Sequence, residues 1–172
     1  MSDQRGRENR ERGFGSGGGP PGGRRGMIGL SRIHDSEDYE LVHPRCVLQR
    51  RADYEEGLAL WKSGDPEGAK DALRYALEGC GDNLWVHVAL GRIALEWDED
   101  FSLARGHFGY AFELVERALP RSFQGRLPRK LPGNKPFFEA AEGLAACYEG
   151  LRQREEAQRV RRQAERLAGS ER

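Results

Sequence analysis

Residues 57–76 read GLALWKSGDPEGAKDALRYA, and residues 91–111 read GRIALEWDEDFSLARGHFGYA. Both stretches begin at a glycine, and these two glycines are 34 positions apart. After each glycine, two alanines flank one large apolar residue at the same spacing. These residues are Ala69, Leu73 and Ala76 in the first stretch, and Ala104, Phe108 and Ala111 in the second. A period near 34 residues with this content is typical of repeated helix–turn–helix units.

Capping residues divide the chain after residue 50 into six predicted helices. Asp65, Pro66 and Glu67 are an N-cap, a first-position proline and a first-turn acid, which together start a helix. Glycines at 79 and 81 end that helix, and Pro120 ends a later one. The predicted helices lie near 50–62, 66–79, 84–96, 102–118, 136–149 and 153–168.

Composition divides the rest of the chain into three segments. Residues 1–33 are rich in glycine and arginine, and with Phe14 as their one aromatic residue they predict a disordered basic tail. Met27 is an alternative start, which would remove most of this tail. Residues 34–49 form a lead-in to the helical domain at 50–168. Residues 120–135 hold three prolines and several bases, and they predict a loop inserted in that domain.

The whole-chain numbers exclude some classes of protein. The formal net charge is zero, so charge alone predicts no affinity for nucleic acid or membranes. Three widely spaced cysteines without a CxxC motif support neither a disulfide framework nor a zinc site, which favours a reducing compartment. The short apolar run at 27–30 cannot serve as a signal peptide or a membrane span. We therefore expect a cytoplasmic protein.

Residues 50–168 resemble the tetratricopeptide repeat, whose pattern is roughly W-x2-L-G-x2-Y followed by A-x3-F and a further alanine. The three copies begin at Asp53, His87 and Ala141. The first copy has Gly57, Leu60, Ala69, Leu73 and Ala76, and the second has Leu90, Gly91, Ala94, Ala104, Phe108 and Ala111. The third has Leu144, Ala145, Tyr148, Ala157, Arg161 and Ala164. The leading aromatic and the final proline are missing from every copy, and Arg161 replaces a large apolar residue.

This resemblance implies an all-α fold of three stacked antiparallel helix pairs, a short bacterial-type array. It also implies a concave groove lined by the first helix of each pair, whose usual occupant is another protein. The facing residues would be Arg51, Tyr54, Leu58, Trp61, Lys62, Trp85, Val88, Arg92, Leu95 and Glu142, with Glu96, Glu139, Ala146 and Glu149 as further facing positions. Trp61 and Trp85 have an equally strong alternative interpretation as packing residues between repeats.

The basic loop is open to two interpretations. Its bases are Arg121, Arg126, Arg129, Lys130 and Lys135. They could dock an acidic protein or RNA phosphates, or they could belong to a solvated insertion, which we favour because Phe123 is the loop's one aromatic residue.

The sequence predicts a non-catalytic adaptor or scaffold that binds a peptide or helix, with the acidic third repeat favouring a basic partner. No nucleophile–histidine arrangement, metal-ligand spacing or phosphate loop is present, so we expect no catalytic residue, metal or cofactor. One alternative is a nucleic-acid-associated protein that uses the tail and loop. A second is self-assembly through the exposed face of a short array, as a homo-oligomer.

Overall fold

The computed structural model describes residues 27–169, and this part of the chain is mostly helical. A two-stranded hairpin, β1 (Gly29–Arg32) and β2 (Tyr39–Val42), precedes a short helix α1 (Arg45–Gln49). The six longer helices are α2 (Arg51–Ser63), α3 (Pro66–Gly79), α4 (Leu84–Glu96), α5 (Phe101–Ala118), α6 (Lys135–Gly150) and α7 (Arg154–Ala168). Each begins and ends within one residue of its predicted bounds, so the helix predictions are confirmed.

The hairpin corrects the prediction for the N-terminal region. Residues 1–26 of the predicted disordered tail lie outside the described residues, but residues 29–32 pair antiparallel with 39–42. Ile28 and Leu41 are buried in the same apolar core as the last helices. Because the apolar run at 27–30 is short, its sequence carried no periodic signal, and its order comes from packing on distant helices.

Consecutive helices pack against each other from α2 to α7, and α4 also contacts α2 and α6. The glycines that open the two repeated stretches permit this close packing. A Cβ at Gly57 would lie 2.6 Å from Leu73, and a Cβ at Gly91 would lie 2.9 Å from the ring of Phe108. The small–large spacing seen in the sequence is therefore a contact between neighbouring helices.

Each turn within a helix pair contains one residue in the left-handed backbone region, two positions before the next helix. These residues are Gly64 (φ +87°), Glu99 (φ +52°) and Arg152 (φ +62°). The residue that follows is the N-cap, and Asp65 and Asp100 accept hydrogen bonds there from backbone N–H groups. This common turn geometry is a third repeated feature, which the sequence did not reveal because only the first turn uses glycine.

The turns and the longer connections lie at opposite edges of the helix stack. At one edge, here called the turn edge, the turns 63–65, 97–100 and 151–153 are linked by side-chain contacts. Trp61 packs edge-on against Trp97, Lys70 binds Asp98, and the ring of Phe101 lies against Gly150.

At the other edge, residues 27–50 run along the connections 80–83 and 119–134; we call this N-terminal segment the strap. The backbone of Tyr39 bonds to Arg126, and the His43 Nε2 lies 2.7 Å from the carbonyl of Gly133. A disulfide joins Cys46 of the strap to Cys80 after α3. The disulfide holds one end of the strap near α3. The hairpin lies near α7, because Arg126, which bonds to Tyr39, is followed by Leu127, whose N–H donates to the carbonyl of Leu167.

Candidate functional site

The first helices of the three predicted repeats are α2, α4 and α6, and α4 lies in contact with the other two. Arg92 on α4 forms an ion pair with Glu139 on α6, with 3.5 Å between Nη2 and Oε1. Tyr54 on α2 lies within the electrostatic range of both residues. Burial raises the pKa of the Tyr54 hydroxyl, and Glu139 raises it further, whereas Arg92 opposes the shift. We call this surface the α2–α4–α6 face.

The ten predicted groove residues differ in exposure. Arg51, Leu58, Lys62, Arg92 and Glu142 are exposed, Tyr54, Trp61, Trp85 and Leu95 are half-buried, and Val88 is buried in the core. Val88 therefore has no surface to offer a partner in this structure. The remaining residues offer aromatic and aliphatic surface on α2, with Arg92 as the exposed charge on α4.

Trp85 belongs to the strap edge as much as to the α2–α4–α6 face. Its ring lies 5.9 Å from that of His43 in the strap, centroid to centroid. Burial lowers the pKa of His43, which keeps this imidazole neutral near neutral pH. For Trp85, the contact favours the packing interpretation of the sequence over a role as an open anchor.

Trp61 contacts an aromatic residue that the sequence analysis did not single out. Its ring meets that of Trp97 nearly at right angles, with 6.5 Å between centroids. Trp97 is 59% exposed. The available signal was its place in the acidic run at 96–100, where no apolar neighbour could bury it.

The predicted acidic surface of the third repeat is neutralised within the chain. Glu139 pairs with Arg92 and with Lys135, and Glu142 pairs with Arg129. Glu149 on the same helix pairs with Arg161, which lowers the pKa of the Glu149 carboxyl. The positive groups on α6 and its neighbours thus offset the charge that was expected to select a basic partner.

The basic loop also forms contacts within the chain. Arg126 donates from Nε to Asp38 at 2.8 Å, and the guanidinium of Arg129 lies 4.4 Å from the ring centre of Phe138. Arg129 also bonds to Glu142 and Glu165. Arg121 and Lys130 are exposed. Arg126 and Arg129 therefore tie the loop to the strap edge and to the last helices, a structural role that the sequence did not predict.

The cysteine prediction is wrong for two of the three thiols. Cys46 and Cys80 are bonded across 34 residues, although the sequence analysis favoured reduced thiols. Their spacing gave no sign of this, because it is the strap that brings Cys46 to the end of α3. Cys147 is buried without a bonded partner, and burial raises the pKa of its thiol to about 11.

A polar cluster lies between α4 and α5. His87 Nε2 donates to the carbonyl of Gly81 at 2.8 Å, and its Nδ1 lies 3.4 Å from Nδ1 of His107. Tyr110 donates to Asp82 at 3.1 Å. Burial, together with His87 and Arg74, lowers the pKa of His107 from 6.5 to about 4. Both imidazoles are thus neutral near pH 7 and serve as hydrogen-bonding groups within the helix packing.

A cavity of about 460 Å³ opens between α5, α6 and α7, away from the predicted groove. Its apolar floor includes Leu144, Tyr148 and Val160. Carboxylates of α5 and guanidinium groups of α7 form its walls; these are Glu113, Glu116, Arg159, Arg162 and Arg166. The sequence predicts no function there.

Across residues 27–169, no three histidine, cysteine or acidic side chains are grouped so that they could hold a metal ion. No helix of that part is both long and apolar enough to span a membrane.

The comparisons with known proteins add no relative: no protein-family model matches the chain, and no curated protein or solved structure is significantly similar to it.

Proposed function

We propose that this chain is a non-catalytic protein-interaction module, a short tetratricopeptide-like array that binds a peptide or helix on its α2–α4–α6 face. The observation that carries the proposal is the contact of α4 with both α2 and α6. It brings the first helices of the three predicted repeats side by side, as a common binding groove requires. The adaptor or scaffold role follows from that groove.

Repeated local geometry supports the array. Gly57 meets Leu73 and Gly91 meets Phe108 in the same way, and each pair turns through a left-handed residue two positions before its second helix. Such units cannot bury their apolar faces alone, so stacking on a neighbour stabilises each one. An array of this kind leaves one helix face available to a partner.

The side chains of the face favour a partner residue that is apolar and has polar groups beside it. Tyr54 and Trp61 are half-buried aromatic residues, Leu58 is 37% exposed, and Arg92 is half exposed beside Glu139. Tyr, Trp and Arg most often carry binding energy at protein interfaces. An apolar partner side chain between Tyr54 and Leu58, oriented by Arg92, is the occupant we propose.

The two alternatives have less support. Nucleic-acid binding through the loop would have to break the ion pairs of Arg126, Arg129 and Lys135 with acids of the same chain. Self-assembly through the end of the array has no specific contact in its favour. A cytoplasmic site of action remains part of the proposal, although the Cys46–Cys80 bond fits an oxidising compartment better.

A capture experiment at two salt concentrations tests the groove. Purified full-length protein is immobilised and exposed to nuclease-treated lysate, and wild type is compared with a Tyr54→Ala/Leu58→Ala variant. Leu48→Ala is the matched control, because Leu48 is 74% exposed but lies in the strap. We expect a protein that wild type and Leu48→Ala retain at high salt and the double variant loses. Equal retention by all three would contradict the proposal.

A further inference from the structure

The turn edge carries exposed aromatic surface outside the α2–α4–α6 face. Trp97 is 59% exposed at the end of α4, and Phe101, which begins α5, is 37% exposed. Trp61 supports Trp97 from one side, with the two rings nearly perpendicular. Trp97 therefore has a fixed neighbour and an open face, which is the arrangement of an anchor rather than of a core residue.

Carboxylates surround this aromatic surface. Residues 96–100 read Glu-Trp-Asp-Glu-Asp, and the nearby base Lys70 is already bound to both Glu67 and Asp98. Asp100 caps α5 by accepting from the N–H groups of Ser102 and Leu103. Within the described range, neither Glu96 nor Glu99 takes part in an ion pair.

The acidic side chains of α6 differ from those of the turn edge in their pairing. On α6, each of Glu139, Glu142 and Glu149 has an arginine of the same chain as its partner. In the turn 96–100, four acids stand within five residues, and Lys70 pairs with one of them. This turn thus carries a net negative charge beside an exposed indole, and a positive charge is what complements it.

We propose that the turn edge binds a basic segment of a partner protein, with an arginine or lysine side chain lying on the open face of Trp97. The ring attracts the cation through its quadrupole, and the flanking carboxylates add a Coulomb attraction. Phosphate groups would be repelled by the same carboxylates. This surface adjoins the groove of the proposed function and shares Trp61 and Glu96 with its predicted facing positions. Its anchor is Trp97, whereas the groove is tested at Tyr54 and Leu58, so either proposal can fail without the other.

The test uses two fluorescent 12-residue peptides, one alternating arginine with glycine and one alternating glutamine with glycine. Each is titrated with the full-length protein at low salt, and anisotropy is measured. We expect the arginine peptide to bind at least tenfold more tightly than the glutamine peptide, and to weaken steeply as salt rises. Trp97→Ala should weaken its binding about two- to fivefold, as loss of an exposed cation–π contact predicts.

Two further variants locate the site. Glu96→Gln/Glu99→Gln keeps the shape and removes two charges, so it should weaken the arginine peptide and flatten the salt dependence. Tyr75→Ala is the matched aromatic control, because Tyr75 is 54% exposed on α3 and should leave binding unchanged. Circular dichroism of each variant checks that the helices remain folded.

Three outcomes would overturn the proposal. Equal affinity for the two peptides would show that charge is not recognised. Loss of arginine-peptide binding in Tyr54→Ala but not in Trp97→Ala would move the ligand to the groove, which supports the proposed function instead. In the third outcome, the arginine peptide binds only after the six arginines of residues 1–26 are changed to serine. That result would show that the chain's own N-terminal segment, not a partner, occupies the edge.

Discussion

The two edges of the helix stack are built in opposite ways. The strap edge is closed by the hairpin, by α1 and by the loop at 119–134, with buried polar contacts and a disulfide. The turn edge has only tight turns, which leave Trp97 and several carboxylates in solvent. The irregular segments therefore stabilise one edge of the helix stack and leave the turn edge uncovered.

Charge follows the same division. At the strap edge and on α6, bases such as Arg126 and Arg129 pair with acids from distant parts of the chain. At the turn edge, acids outnumber bases over residues 96–100. Since exposed single ion pairs contribute little to stability, the strap depends more on its buried hydrogen bonds and its disulfide than on these pairs.

The disulfide should give the largest effect, because it joins the strap to the helix stack. Replacing both Cys46 and Cys80 with serine should lower the free energy of unfolding by about 2–4 kcal/mol, as expected for a crosslink that closes a loop of this length. Chemical denaturation of wild type, with and without dithiothreitol, gives the same comparison. Three reactive thiols in the unfolded, unreduced protein would contradict the bond.

Variants of Asn134 and Asp100 compare a buried polar contact at the strap edge with an exposed one at the turn edge. Its fully buried side chain accepts from the Leu41 N–H and donates to the carbonyls of Tyr39 and Pro128. Asn134→Ala leaves these groups unpaired and should cost about 2–3 kcal/mol of stability. Asp100→Ala, which removes an exposed N-cap, should cost about 1 kcal/mol. Equal losses in the two denaturation curves would remove the contrast between the edges.

The pH dependence of the free energy of unfolding tests the packing of His107, which lies in the polar cluster between α4 and α5. Because the pKa of His107 falls from 6.5 to about 4 on folding, the unfolded chain binds a proton more readily. Stability attributable to His107 is therefore complete above pH 6.5 and is lost as the pH falls toward 4. After a discount for solvent screening of this partly exposed ring, the loss is on the order of 2 kcal/mol. His107→Gln should flatten the curve in that window; an unchanged slope would assign the acid sensitivity to other groups.

The smallest expected effects concern the three left-handed turn residues. Gly64→Ala should destabilise by about 1 kcal/mol, because its Cβ meets open space and only the backbone conformation opposes it. Arg152→Gly should stabilise by about 0.5 kcal/mol, since glycine adopts its φ of +62° without strain. Thermal denaturation measures both, and a shift of the same sign for the two variants would argue against equivalent turns.

The sequence predicted the helices because their signals are local. The N-cap Asp65, the proline that follows it and the Gly57–Leu73 spacing all act within one repeat. The strap could not be predicted in this way. Two partners of Asn134, Leu41 and Tyr39, lie 93 and 95 residues away in the hairpin, and Cys46 meets Cys80 only through the path of the strap.

The exposure of the candidate groove residues was predicted with mixed success for a similar reason. Helical spacing placed Tyr54, Leu58 and Arg92 on exposed or half-exposed positions. It could not distinguish Val88, which packs into the core, or Trp85, which lies under the strap. Nor could it predict that Arg129 would neutralise Glu142, because that pairing depends on the course of the loop.

Site-specific photo-crosslinking tests the groove most directly. A photoreactive phenylalanine analogue is placed at Leu58 on the α2–α4–α6 face, or at Leu48 in the strap, in otherwise wild-type protein, and each variant is irradiated in lysate. We expect a discrete adduct with one protein from position 58, absent from position 48 and lost when Tyr54→Ala is added. A discrete adduct from position 48 alone would place the binding surface on the strap edge and contradict binding in the groove.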